Sequence, residues 1–150
     1  MNTTATFKSG VICLIVSLFI LSSSTLFAEQ KKTFGVYDIH YVSSNTAMLT
    51  PEIARIYNIQ RSKSRGIVTI AVRNTDKKSA SEALVRGSVR NPFGQLQELD
   101  FTKIIDQQAI YYLATFSFAD EQTMSFNVKV SPDGVADTYD VDFNQQFFVD

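Results

Sequence analysis

The chain has 150 residues, 14 Lys and Arg against 15 Asp and Glu, one His and one Cys, for a net charge of −1. That balance excludes bulk nucleic-acid binding, which shows as a basic excess. Twelve Phe and six Tyr with no Trp predict a core of small aromatics and aliphatics.

The first 28 residues read as an address. Lys8 is the only charge before Glu29 and precedes the apolar run "VICLIVSLFIL"; "STLFA" then leads to a cleavage edge at Ala28. A positive head, an apolar middle and a small-residue exit make a secretory signal peptide. The alternative, an uncleaved anchor, has an apolar run shorter than the ~20 residues that span a bilayer. Cys13 sits in the middle of that run and leaves with it. The mature chain then has no thiol, which excludes disulfides, thiol catalysis and cysteine metal sites. Export without cysteines suits a bacterial periplasm better than a disulfide-stapled secreted fold. Loss of 28 of the 150 residues would leave 122, with 13 basic and 15 acidic side chains: one ordinary domain, large enough to bury a core, with no stable membrane insertion once the signal is removed.

Period-two alternation, the pattern of half-buried strands, dominates the mature chain. A first strand is predicted through "TFGVYDIHYV". "TPEIARIYNI" interrupts with a short helix near 51–57: Thr50 is a natural N-cap, Pro51 fits the first helical position, Glu52 lies in the first turn and Asn58 at the end. Ile53, Ile56 and Tyr57 share a helical face, and the helix should lie over an open end or edge. Further strands are predicted at "GIVTIAVRN", "ALVRGSVRN" and "QLQELDFTKII", the last with less clean alternation. "AIYYLATFSF" puts Ile110, Tyr112, Phe116 and Phe118 on one face. "TMSFNVKV" does the same with Met124, Phe126, Val128 and Val130. "TYDVDFNQQFFV" sets Tyr139, Val141, Phe143, Phe147 and Val149 against Asp140, Asp142 and Asn144. Polar loops are predicted at 76–79 and 120–122, and type I turns at "NPFG" (91–94) and "SPDG" (131–134). About seven strands at this spacing make an all-β, immunoglobulin-like antiparallel β-sandwich, one domain over 29–150.

The segments "AEQKKTFGVYDIHY", "LTPEIARIYNIQRSKSRGIVTIAV", "GQLQELDF", "AIYYLATFSF" and "FNQQFFVD" resemble the bacterial envelope family called domain of unknown function 4426. The block running from "LTP" through "RSKSRG" is the most specific part. The resemblance covers nearly the whole mature chain and implies an exported single domain of immunoglobulin-like type. It implies no activity.

Chemistry is sparse. His40, with Asp38 two residues earlier on the same strand face, would need partners to act as base or ligand, and a surface histidine beside a carboxylate is the favoured reading. Asp133, Asp137, Asp140 and Asp142 lack a calcium-loop spacing, and Asp140 and Asp142 alternate outward on a strand. Ser88 lies between Arg86 and Arg90 without a nucleophile motif, and no phosphate or dinucleotide loop occurs. No catalytic residue, metal site or cofactor is therefore assigned. Exposed aromatics suit a binder better: Phe93 at a hairpin tip, and Phe148 on the face opposite Phe143 and Phe147. Arg61, Lys63 and Arg65 are spaced by two, so in an extended chain they project together, in line with Ile67, Thr69 and Ala71. This ridge is either a solvated strand entrance that discourages edge pairing or a surface for an anionic partner.

The chain thus reads as a non-catalytic exported binding module. Its partner would be an unknown envelope protein or a small anionic ligand, and its binding residues Arg61, Lys63, Arg65 and Phe93. The alternatives are a hydrolase inhibitor presenting the 91–95 loop, or an enzyme whose site forms from residues distant in sequence.

Overall fold

The computed structural model describes residues 30–149. The signal segment and Cys13 lie outside the described residues. Two antiparallel sheets pack face to face. The first contains β1 (Lys31–Phe34), β2 (Tyr37–Asn45), β3 (Arg65–Asn74), β8 (Ala109–Ser117) and β7 (Thr102–Asp106) in that spatial order, with β4 (Ser79–Ala80) pairing the end of β3. The second runs β10 (Tyr139–Phe147), β9 (Gln122–Pro132), β5 (Ala83–Arg90), β6 (Leu96–Leu99).

Among the described residues ten strands replace the expected seven or so, for local reasons. "TFGVYDIHYV" is two strands because Gly35, at φ 56°, takes a left-handed conformation that glycine adopts without penalty. The chain reverses over Gly35 and Val36, and Phe34 pairs with Tyr37. "QLQELDFTKII" is also two strands, and they belong to different sheets. The chain crosses between layers at Asp100 and Phe101, which is why no single alternation describes it. The "SPDG" turn starts one residue later than expected. β9 runs on through the fully buried Pro132, and Val135 N–H bonds Pro132 O. Gly134 is then third in the turn at φ 81°, where a type II turn needs a positive φ. "NPFG" turns where predicted, with Gly94 N–H on Asn91 O at 3.0 Å.

The alternation locates the core. Val68, Ile70, Val72, Met124, Phe126, Val128, Val130, Val141 and Phe147 are all buried between the sheets. Rings fill one end of it: Phe126 stacks on Phe143 at 4.5 Å between centroids, Phe116 meets Phe126 and Phe147 edge-on at 5.1 and 5.2 Å, and Tyr41 stacks on Phe143. Two glutamines tie the layers at opposite sides of the sandwich. Gln145 of β10 accepts from Ser43 Oγ and donates to Ser43 O. Gln97 of β6 accepts from Ser117 N–H and donates to Ser117 O.

The helix α1 (Pro51–Ile56) starts as the sequence predicts, with Thr50 Oγ1 accepting from Ile53 N–H. It ends in a Schellman motif: Asn58 is left-handed at φ 52°, and the N–H groups of Asn58 and Ile59 bond the carbonyls of Arg55 and Ala54, so the last carbonyls are satisfied. Its buried residue is Ala54, whereas Ile53 and Ile56 are exposed and Tyr57 is half-buried near Leu113 and Thr115, so only part of the expected apolar face meets the sheet. Ile67 points away from the core yet is buried. The segment between β2 and β3 therefore covers this part of the sheet's outer face, rather than only an end or edge.

Candidate functional site

The segment that opens β3 does not run extended. Lys63 and Ser64 form a turn closed by Arg65 N–H on Ser62 O, so Arg61, Lys63 and Arg65 do not line up as a ridge. The reason is a lattice of polar bonds to the 3-10 turn Thr46–Met48. The fully buried Thr46 donates its hydroxyl to Ser62 O and accepts from Ser62 N–H. Asn45 Nδ2 donates to Lys63 O at 2.8 Å while Asn45 Oδ1 caps Ala47 N–H. Arg61 Nη2 donates to Ala47 O at 2.9 Å. Arg61 thus holds a turn, Lys63 is presented beside it, and only Arg65 sits on β3, half-buried in line with Ile67.

These bonds frame an open groove of about 520 Å³ between the end of β2 and the end of β10. Ser43 and Gln145 form its floor, and Met48, Lys63 and Phe148 stand around it. Met48 is 80 % exposed and Phe148 48 %. Phe148 is held there from both sides: Val149 N–H bonds Asp120 Oδ1 at 2.8 Å, and Asn45 Nδ2 approaches Phe148 O at 3.5 Å. An exposed phenyl group offers rigid contact area, and an exposed thioether adapts its shape to what it meets.

Strand register puts Phe93 at the same end. β5 ends with Arg90 opposite Ser125, near the start of β9, and β9 begins with Gln122 opposite Phe147. The 91–94 tip is fixed by Asn91, whose Oδ1 accepts from Phe93 and Gln95 N–H, and it leaves Phe93 80 % exposed. The ion pairs Lys31–Asp38, Lys103–Glu82 and Lys129–Asp140 lie elsewhere. Arg61, Lys63, Arg65 and Arg90 are paired with no carboxylate among the described residues. This end carries exposed apolar groups and unpaired cations, together with the Asp120 carboxylate that holds Val149 N–H.

The remaining candidates stay apart. His40 lies on the outer face of the first sheet, beside Val42, Thr69, Ala71 and Tyr111. Its neighbour Asp38 is held below the usual carboxylate range, first by the Thr33 hydroxyl at 2.6 Å and then by the Lys31 ammonium. Ser88 belongs to the opposite sheet, across from Asn127 and Glu98. Asp140 pairs with Lys129 and Asp142 accepts from Asn127, so these carboxylates do not converge. No three His, Cys, Asp or Glu side chains gather to hold a metal among the described residues, and no described helix is long and apolar enough to cross a membrane. Met48 was not legible as a site residue, because nothing in "TAMLTP" separates an exposed methionine from a buried one.

A family profile described as a domain of unknown function, DUF4426, matches residues 31–150. No curated protein matches. The crystal structure of a DUF4426 family protein from Pseudomonas aeruginosa PAO1 is 32% identical with a TM-score of 0.72, over 81% of this chain and 96% of that one. FetP of uropathogenic Escherichia coli strain F11, recombinantly expressed in the periplasm, is 10% identical at TM-score 0.56, over 79% of this chain and 93% of its own. A copper-bound Glu-to-Gln variant of FetP is 12% identical at TM-score 0.57, over 80% and 95%; at such identity the likeness is one of fold. The chain belongs to the DUF4426 family.

Proposed function

We propose that the chain is a non-catalytic periplasmic binding module that holds another envelope protein at the end carrying Met48, Lys63 and Phe148. The observation that carries this reading is the exposure of Met48 and Phe148 around one groove with an unpaired ammonium beside them. Buried aromatic anchors dominate interface energies, and a cation beside them selects partners and speeds encounter. The export signal read in the first 28 residues supports the compartment, and FetP, which shares the fold, was recombinantly expressed in the periplasm. A variant of FetP is copper-bound. Among the described residues of this chain no three His, Cys, Asp or Glu side chains gather to hold such an ion. The non-catalytic part rests on separation: His40 and Ser88 occupy different sheets.

The test is crosslinking in intact cells with the variant M48S/K63S/F148S. The substitutions leave the core and the Arg61 and Asn45 bonds intact, so the variant should fold and lose its crosslinked partners. A folded variant that keeps them refutes the reading. A second reading, inhibition of a hydrolase, is favoured only by the rigid tip at Phe93. It predicts that F93S abolishes the same crosslinks while the triple variant retains them.

A further inference from the structure

We propose that the free edge of β10 beside this groove is a strand-addition site. Residues Asn144–Phe148 would take an extended segment of a partner polypeptide in which apolar side chains alternate with carboxylates. The proposal rests on the binding reading above and gives it a geometry.

β10 pairs with β9 without a bulge from Tyr139↔Val130 to Phe147↔Gln122, and its other side is the edge of its sheet. In a regular antiparallel strand, alternate residues turn both N–H and C=O toward the free side. Lys32 Nζ donates to Asp142 O at 2.8 Å, and Asn45 Nδ2 approaches Phe148 O at 3.5 Å. The even-numbered residues are therefore the ones that face outward. Between those two capped carbonyls, Asn144 and Gln146 turn their N–H and C=O outward with no strand paired to them on that side among the described residues, and both residues are exposed.

Proteins normally blunt such edges by shortness, charge or cover. The other outer strands β1, β4, β6 and β7 span five residues or fewer. β10 spans nine, and Lys32 guards its first half. Its second half, "FNQQF", carries no charge. An added strand would lie about 4.8 Å from β10, along the groove. Gln145 is tied to Ser43 by two bonds and can stay in place. Side chains on one face of the added strand reach Met48 and Phe148, and a carboxylate in that strand meets Lys63.

The test selects nine-residue displayed peptides on the purified mature chain and titrates the winning peptide by NMR with amide hydrogen exchange. The selected sequence should alternate apolar and acidic residues, and the amides of Asn144 and Gln146 should exchange at least tenfold more slowly when bound. N-methylation of every second peptide amide should abolish binding, while methylation of the intervening amides is tolerated. K63S should weaken binding about tenfold and reduce its salt dependence. Shifts at Met48 and Phe148 with unchanged exchange at Asn144 and Gln146 would overturn strand addition while sparing the groove. Failure to select any peptide sensitive to M48S/F148S would overturn both. Protection of these amides without peptide, together with a dimer mass, would make a second copy the occupant and overturn the proposal.

Discussion

Gly66 is the residue whose replacement probes the core packing at closest range. Its φ is not in the left-handed region, so backbone freedom does not account for the glycine. It faces inward opposite Phe116 on β8, and a Cβ at this position would lie 2.2 Å from the tip of the Phe116 ring and 2.6 and 2.7 Å from the adjacent ring carbons. Carbon pairs rest at about 3.5–4.0 Å, so ring or strand must move by an ångström or more. The ring cannot simply withdraw, because Phe118, Phe126 and Phe147 surround it with centroids at 6.3, 5.1 and 5.2 Å. Overpacking of this kind costs about 1–3 kcal/mol. The lower chain entropy of unfolded alanine returns about 0.4–1 kcal/mol. At mid-range Gly66→Ala should therefore lose about 1.3 kcal/mol, a fall in Tm of roughly 5 °C for a domain of this size. Urea unfolding of G66A, F116L and the double variant measures it. The double variant should be at least about 0.5 kcal/mol more stable than the sum of the two single effects, because leucine vacates the contested space. A neutral or stabilising G66A, or strictly additive effects, would refute the packing.

Thr33→Val should raise the Asp38 pKa back toward 3.8, followed by carboxyl-carbon NMR, because the hydroxyl is the largest cause of its lowering. A carboxylate whose folded pKa is depressed stabilises the fold above its unfolded pKa and loses that contribution as pH falls through the folded value. Wild type should thus exceed T33V in melting temperature at neutral pH, and the gap should close in acid. Gln97→Ala removes both bonds to Ser117 and should cost about 1–3 kcal/mol at about 0.5–1.5 per bond, with faster exchange of the Ser117 amide. Gln146→Ala, which loses one 3.3 Å bond to Glu121 O, should cost less by the same assay.

Periodic and local features were legible in the sequence. Met124, Phe126, Val128 and Val130 alternate inward as their spacing requires, and Thr50, Pro51 and Asn58 begin and end the helix through bonds within a few residues. Features that depend on contacts across the chain were hidden. Extension of Arg61, Lys63 and Arg65 is a local expectation, overridden by Thr46 and Asn45, which bind the 62–63 backbone from the end of β2. The division of "QLQELDFTKII" between two sheets depends on which neighbours each half meets. The groove joins residues about a hundred positions apart, as the Ser43–Gln145 bond does, and no spacing in the sequence encodes that. Phe93 and Phe148 were visible because a hairpin tip and a reversed alternation are local facts.

If the Met48–Lys63–Phe148 end is where this protein meets its partner, a crosslinker placed there must reach that partner. A photoreactive phenylalanine analogue placed singly at positions 48, 93, 148 and 127 in living cells tests this, since position 127 projects from the outer face of the second sheet, midway along β9. Positions 48 and 148 should give the same discrete adduct, and position 127 none. Adducts from 127 with none from 48 and 148 would contradict the assignment of this end as the binding surface.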